Sequence, residues 1–230
     1  MARHVDRPLG LSEVFAETIR LYGDRIAAAV GLGLVYAAVT VAGNLVNDGV
    51  AVAATAVGFG LTLGAASRLA AGDSFVEAWA QVALRLPGLL VLAAAVALPF
   101  VIAAGYLLLV LVGAAWLALA GFAIPVTMLE REGERVPWFR RISRSLERSV
   151  ALARRDFLHA FGVTAALALV YLLFGIVLSA LLQGFAGNSE LIAGILTQVV
   201  LTPFFFLGLV VLYFEQRARI GAGTPQASPG

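Results

Sequence analysis

Residues 86–129 read LPGLLVLAAAVALPFVIAAGYLLLVLVGAAWLALAGFAIPVTML and contain no Asp, Glu, Lys or Arg over 44 residues. A single helix of that length would be about 66 Å long, roughly twice the hydrocarbon thickness of a bilayer. The segment must therefore fold back on itself. Arginines flank both ends, at Arg85 and Arg131, which favours an even number of crossings because basic residues stay on one side of a membrane. We place the turn at residues 103–106, with Gly105 at its centre.

The rest of the chain has the same apolar character. Hydrophobic residues make up 61% and charged residues 13% of the 230 residues, whereas a soluble domain carries about 25% charged residues. The apolar runs are continuous rather than alternating, which disfavours a β-barrel. The sequence therefore predicts an all-α, polytopic membrane protein, with a single transmembrane domain at residues 1–219 and a disordered tail at 220–230. The six predicted spans are residues 26–43, 50–66, 87–102, 107–129, 158–182 and 191–214.

Arginine provides all 16 of the Lys and Arg residues, and the arginines are unevenly distributed. Four precede the first span, two lie between spans two and three, eight lie between spans four and five, and two follow span six. The first, third and fifth connections contain none. Since basic residues near span ends stay on the cytoplasmic side, six crossings with both termini in the cytoplasm place every arginine there. The predicted location is the plasma or inner membrane of the cell.

The arginine-rich interval, residues 130–157, reads EREGERVPWFRRISRSLERSVALARRDF. On a helix that starts at Trp138, its apolar side chains fall within roughly 120° of arc, with Leu152 as the exception. This apolar stripe comprises Trp138, Phe139, Ile142, Leu146, Val150, Ala153 and Phe157. The opposite arc carries Arg140, Arg141, Arg144, Arg148, Arg154 and Arg155. Such a helix suits a membrane interface, where the arginines would bind anionic headgroups or a partner protein. The alternative is a solvated helix that packs on neighbouring spans, with arginines that merely fix orientation.

Two further amphipathic helices are predicted, one before each of the other hairpins. The first covers residues 11–22. The second covers residues 73–85 and opens with a capping box at 74–77, in which Ser74 and Glu77 each satisfy a free backbone N–H. Trp79 and Trp138 lie on the apolar stripes of these cytoplasmic helices and suit interfacial anchoring. The order amphipathic helix, span, turn, span thus occurs three times, which indicates either an internal duplication or repeated hairpin insertion.

The centres of the predicted spans contain no charged residue, which disfavours proton relays, voltage sensors and ion-coupled carriers. The most polar spot is Thr197-Gln198 in span six. These side chains are predicted either to line a cavity for a polar lipid head or to make an interhelical hydrogen bond. The motifs Gly31-Leu32-Gly33 and Gly58-Phe59-Gly60 lie inside spans and predict close helix packing rather than phosphate loops.

The sequence carries no convincing catalytic, metal or cofactor motif. It has no cysteine, and its two histidines, His4 and His159, stand apart from any cluster of ligands. A lipid-modifying enzyme would depend on Glu130, Asp156 and His159, which lack metal-ligand spacing. We therefore expect no enzymatic activity, no cofactor and no metal. We also expect no nucleic-acid partner, because the arginines lie beside a membrane and the aromatic residues face the apolar side.

Several segments of the chain resemble a known family. The runs IPVTMLEREG at 124–133, RSLER at 144–148, ARRDF at 153–157 and LYFEQRAR at 212–219 are similar to the membrane domains of glycerophosphoryl diester phosphodiesterases and their stand-alone relatives. The opening from Pro8 to Tyr22 also fits. This resemblance implies a six-helix integral membrane domain. It does not imply phosphodiesterase activity, which in fused members belongs to a separate soluble barrel.

Two functions fit these features. The preferred one is a membrane protein without catalytic activity that binds anionic lipid or a partner protein through its arginine-rich cytoplasmic helices. The alternative is a transporter or flippase-like carrier of a lipid-like or apolar solute, which the three-hairpin layout and the glycine-rich spans suggest.

Overall fold

The computed structural model describes residues 7–104, 109–130, 138–182 and 189–222, and within these ranges the chain forms helices and turns without a β-strand. Six segments are long and apolar enough to cross a membrane, with the two helices of residues 110–129 counted as one segment. The fold is therefore all-α and polytopic, as predicted. The helices are α1 (Leu11–Asp24), α2 (Ile26–Asn44), α3 (Asp48–Ala71), α4 (Phe75–Leu84), α5 (Leu86–Ala104), α6 (Val110–Ala120), α7 (Ala123–Leu129), α8 (Trp138–Arg155), α9 (Phe157–Leu182) and α10 (Ser189–Ala222).

The fourth predicted span is divided into α6 and α7 by a break at residues 121–122. Pro125 explains the break, because a proline ring clashes with the carbonyl four residues earlier, which here belongs to Gly121. Half of the predicted turn at residues 103–106 lies outside the described residues, and Ala103 and Ala104 are the last residues of α5. At the other end of the chain, α10 continues through Ala222, three residues into the predicted tail, and the rest of the tail also lies outside the described residues.

The spans form a closed ring in chain order. Helix α2 packs on α3, α3 on α5, α5 on α6, α6 on α9 and α9 on α10, and α10 packs on α2, which closes the ring. Helices α3 and α10 also contact each other. Glycines allow the closest approaches: a Cβ on Gly33 would overlap the backbone carbonyl of Val199, and one on Gly60 would overlap Ala93. Gly31 and Gly58 likewise face the rings of Phe75 and Tyr36. The predicted role of these glycines in helix packing is confirmed.

Helices α1, α4 and α8, which we call the shorter helices, each precede one hairpin and are placed in the same way around the ring. Helix α4 packs on α3 and α8 packs on α7, so each lies against the second span of the preceding hairpin. Helix α1 packs on α10, the second span of the last hairpin. The capping box of α4 is confirmed: the Ser74 hydroxyl accepts from the Glu77 N–H, and the Glu77 carboxylate accepts from the Ser74 N–H. The Ser74 backbone N–H, and after it the Ser74 hydroxyl, stabilise the Glu77 carboxylate and hold the pKa of Glu77 below its usual value.

A single residue separates each shorter helix from the span that follows it, and in every case this residue is charged. Nη1 of Arg25 donates to the Asp73 carbonyl at 2.6 Å, beyond the end of α3. Nη1 of Arg85 donates to the Met128 carbonyl at 2.6 Å, at the end of α7. In the third hairpin the charges are exchanged, since Asp156 accepts from Nη1 of Arg219 on α10 at 2.8 Å. Each hairpin is thus closed at one end, which we name the arginine end.

Candidate functional site

Two groups of arginines at the arginine end differ in their contacts. The first group is bound into the fold. Besides Arg25 and Arg85, it includes Arg68, whose Nε donates to Oδ2 of Asp73 at 2.8 Å. Burial of Arg85, and the nearby guanidinium groups of Arg68 and Arg141, lower the pKa of Arg85. These arginines satisfy carbonyl groups that a helix end leaves unpaired, and their role is structural.

The second group lies on α8 and faces outward. The four arginines of this group are exposed and make no hydrogen bond or ion pair within the described ranges of the chain: Arg140, Arg144, Arg154 and Arg155. We call them the outer arginines. The other two predicted arginines of α8 differ from them. Arg148 lies with its Nε 3.5 Å from Oε1 of Glu130, and Arg141 is half-buried.

Helix α8 packs on the bundle through a face that differs from the predicted apolar stripe. Leu152, the predicted exception, is fully buried, and so are Ser145 and Ser149. The Ser149 hydroxyl donates to the Leu119 carbonyl at 2.6 Å, and the Ser145 hydroxyl accepts from the Thr127 hydroxyl at 2.8 Å. At about 100° per residue, the buried face is turned by roughly 60° from the predicted stripe. The buried face overlaps the predicted stripe at Ala153, and it extends toward the serines because their small side chains can approach and satisfy backbone groups.

Because of this rotation, one side of α8 is apolar and partly exposed. Phe139 is 56% exposed, and Leu146 and Val150 are half-buried. This side lies between the buried face and the outer arginines. Helix α8 therefore presents three faces in order around its axis: one against the bundle, one apolar and one cationic.

The two predicted tryptophan anchors have different surroundings. Trp79 is half-buried, and its ring packs against Phe75 with 6.4 Å between ring centroids. Its indole N–H is buried and has no hydrogen-bond partner among the residues that the structure describes. Trp138 is the first residue of α8, and its side chain lies outside the described residues. The anchoring role of both tryptophans stays a prediction.

A buried polar cluster joins α9 and α10 at the arginine end. Glu215 is completely buried and pairs with Arg219, which lies one turn further along α10. Arg219 also binds Asp156 and donates from Nη2 to the Leu9 carbonyl at 3.3 Å. Nε2 of His159 lies 3.7 Å from Oε2 of Glu215. The cluster therefore fastens the segment before α1 to the last hairpin.

Glu130, Asp156 and His159, the residues on which an enzyme would depend, bind different partners. Glu130 accepts from the Tyr213 hydroxyl at 3.1 Å and faces Arg148. Asp156 instead accepts from the His159 backbone N–H at 3.2 Å, as a helix-start residue does. Within the described ranges, no group of three His, Cys, Asp or Glu side chains could hold a metal ion.

The predicted hydrogen bond between helices is confirmed for Gln198, while the binding of a polar lipid head beside it stays a prediction. Oε1 of Gln198 accepts from the Thr40 hydroxyl at 2.8 Å, which joins α10 to α2. Gln198 also lines a cavity of about 210 Å³ inside the helix ring. The neighbouring Thr197 is buried, and its hydroxyl has no partner in the part of the chain that is described. The cavity is lined by Tyr36, Thr55, Phe59, Phe100, Val101, Val110, Ala168, Tyr171, Leu172, Gln198, Thr202, Phe205 and Phe206.

Comparisons of the chain with protein families, with curated proteins and with solved structures found no match. The resemblance to the phosphodiesterase membrane domains therefore stays a prediction.

The sequence indicated Gln198, because an amide inside an apolar span is conspicuous. It could not associate Gln198 with Tyr36, Tyr171 and Thr202. These cavity residues stand on three helices, α2, α9 and α10, and no spacing along the chain relates all of them.

Proposed function

We propose that this protein is a non-enzymatic, multi-pass protein of the plasma or inner membrane that binds anionic lipid headgroups through α8. One observation carries the proposal: the outer arginines are exposed and have no ion-pair partner within the described residues. A guanidinium group that is not engaged in the fold is available to the oxygens of a phosphate, which it can bind with two parallel hydrogen bonds.

The distribution of charge supports a cytoplasmic location for the arginine end. Six crossings with both termini in the cytoplasm place every arginine on the side where basic residues are retained during insertion. The cytoplasmic leaflet is also the one that carries anionic lipid. The outer arginines then lie beside the headgroups they are proposed to bind.

The three faces of α8 support an interfacial position. The buried face holds the helix against α6 and α7 through the hydroxyls of Ser145 and Ser149. The adjoining apolar side, where Phe139 is 56% exposed, suits the boundary between headgroups and acyl chains. With that side in the boundary, the long arginine side chains extend to the level of the lipid phosphates.

Removing two outer arginines is expected to weaken binding of phosphatidylglycerol. Each arginine near an anionic surface contributes about 1 kcal/mol, so the double variant Arg140→Gln/Arg144→Gln should lose roughly thirtyfold in affinity. The measurement is native mass spectrometry of the purified protein in neutral detergent, titrated with phosphatidylglycerol and, separately, with phosphatidylcholine.

The matched control is Arg7→Gln/Arg20→Gln, which changes the net charge by the same amount. These arginines are engaged by Glu13 and by Glu17 and Asp24, so we expect unchanged affinity. Equal weakening in the two double variants would show that net charge alone attracts lipid and would contradict a role for α8. If both double variants bind phosphatidylglycerol with unchanged affinity, the outer arginines do not bind this lipid, and a partner protein is then the alternative ligand.

A carrier of a lipid-like or apolar solute is the second candidate function. The cavity beside Gln198 is the observation that favours it, because carriers hold their solute near the membrane midplane. A carrier first requires that this cavity be occupied by a ligand.

A further inference from the structure

The cavity lies in the part of the helix ring that is distant from the arginine end. Tyr36, Phe59 and Tyr171 line it from α2, α3 and α9. At 1.5 Å per residue, these positions are about 15–21 Å from the arginine end of their helices. The cavity is therefore separate from α8 and from its arginines, and it lies at the depth of lipid acyl chains.

One wall of the cavity is a continuous group of aromatic rings. The ring centroids of Phe59 and Phe100 are 5.7 Å apart, and those of Phe100 and Phe205 are 6.0 Å apart and stacked. Phe206 continues the group, with its centroid 4.9 Å from that of Phe59. Such a wall offers apolar contact to a hydrocarbon chain or a ring.

A polar group of lining residues adjoins these rings and contains no acidic or basic side chain. It includes Tyr36, Tyr171, Gln198 and Thr202, with the Thr202 hydroxyl 3.5 Å from the Tyr171 hydroxyl. The rings of Tyr36 and Tyr171 pack against those of Phe206 and Phe205, with centroids 5.7 and 6.2 Å apart. Thr40 occupies Oε1 of Gln198. Nε2 of Gln198 and the hydroxyl of Tyr36, which is 7% exposed, have no hydrogen-bond partner within the described ranges. Gln198 is half-buried and both side chains line the cavity, so a ligand that enters it can form hydrogen bonds with these two groups.

A second chamber, of about 230 Å³ and more open to the surface, lies between α9 and α10. Tyr171 and Gln198 line both chambers, so the two chambers are neighbours and both present polar groups. The second chamber is lined by small and hydroxyl-bearing residues, namely Gly175, Ser179, Ala193, Gly194 and Thr197. Beyond Ala168, α9 has no buried residue up to Leu182. This part of α9 is thus a peripheral wall beside the lipid, from which an acyl chain can approach.

We propose that the two chambers form a binding site for an uncharged, single-chain amphiphile, such as a long-chain alcohol or amide. The chain contacts the phenylalanine rings, and the head exchanges hydrogen bonds with Gln198 and Tyr36. A charged head would lack a counter-ion among the lining residues, which is costly at this depth. A cavity of about 150 Å³ holds a benzene-sized molecule, so a chamber of 210 Å³ accepts a stretch of one chain. This site is independent of lipid binding by α8. If the protein is a carrier, its solute would be an uncharged, single-chain amphiphile.

Photolabelling of the purified protein tests the proposal. The probe is a hexadecanol that carries a diazirine on its chain, with unlabelled hexadecanol as the competitor and palmitate as a charged competitor. We expect label on the cavity-lining parts of α9 and α10, displaced by hexadecanol and not by palmitate. Label confined to other surfaces, or equal displacement by palmitate, would overturn the proposal.

Two substitutions separate recognition of the head from helix packing. Gln198→Leu removes the amide and is expected to weaken competition by hexadecanol roughly three- to tenfold, the effect of one lost hydrogen bond. Thr40→Val removes the Thr40–Gln198 hydrogen bond but retains the amide, and it should leave the affinity within about twofold. Equal weakening in both variants would assign the effect to packing and contradict the proposed role of Gln198.

A third substitution, Ala168→Phe, is designed to fill the first chamber. It is expected to abolish displaceable labelling, while a thermal denaturation curve reports whether the variant is folded. Displaceable labelling at the wild-type level in a folded variant would place the ligand elsewhere and refute the site. The assay measures occupancy alone, so its outcome is independent both of transport and of lipid binding by α8.

Discussion

Replacing Arg219 by methionine is expected to destabilise the protein by about 3–5 kcal/mol, the usual cost of leaving a buried charge without its partner. Glu215 is completely buried, and its ion pair with Arg219 would be lost. The same substitution releases Asp156 and the Leu9 carbonyl, which Arg219 also binds. The measurement is thermal denaturation in detergent, followed by tryptophan fluorescence.

The double variant Arg219→Met/Glu215→Gln is the informative control. A neutral amide no longer buries a charge, so we expect this variant to recover a large part of the lost stability. Arg144→Met removes an exposed arginine that has no partner in the described ranges, and we expect a change of about 0.5 kcal/mol or less. A double variant as unstable as Arg219→Met would show that the buried charge of Glu215 is not the cause.

Gly33→Ala is expected to have the second-largest effect, a loss of about 1–3 kcal/mol from overpacking. A Cβ at this position overlaps the carbonyl oxygen of Val199, which is backbone and cannot move aside as a side chain can. Pro203 lies four residues after Val199 and has no N–H, so this carbonyl lacks the usual helical hydrogen-bond donor. The approach of α2 to α10 therefore depends on the missing side chain.

Gly162→Ala provides the comparison for Gly33→Ala. Gly162 is a helical, exposed glycine, and a Cβ there meets no atom within 4 Å. Because alanine is the better helix former, this variant should be equally stable or more stable by up to about 1 kcal/mol. Similar denaturation midpoints for the two alanine variants would contradict the close packing of α2 on α10.

The fold was predictable because a membrane imposes constraints that are local in sequence. The charge-free run of residues 86–129 has to turn back whatever its partners are. The break within span four also has a local signal, because the ring of Pro125 clashes with the carbonyl of Gly121, four residues earlier. The Gly-X-Gly motifs predicted that helices pack closely at these positions. They did not predict which helix is the neighbour, because that depends on the order of the helices around the ring.

The candidate site was less accessible to prediction. Six arginines of α8 look alike in sequence, and the structure separates them because Glu130, at the end of another helix, lies beside Arg148. Ser145 and Ser149 resemble solvent-facing residues, yet their hydroxyls bind Thr127 and Leu119 and set the rotation of α8. Contacts of this kind depend on long-range packing, so no periodicity reveals them.

We propose that the arginine end, with α8, faces the cytoplasm. The chain has no cysteine, so single cysteines can report the side of the membrane without background. Ser143→Cys lies on the exposed surface of α8, and Val46→Cys lies at the opposite end, between α2 and α3. A membrane-impermeant maleimide should label Val46→Cys in intact cells and Ser143→Cys after permeabilisation alone. Labelling of Ser143→Cys in intact cells would contradict the account.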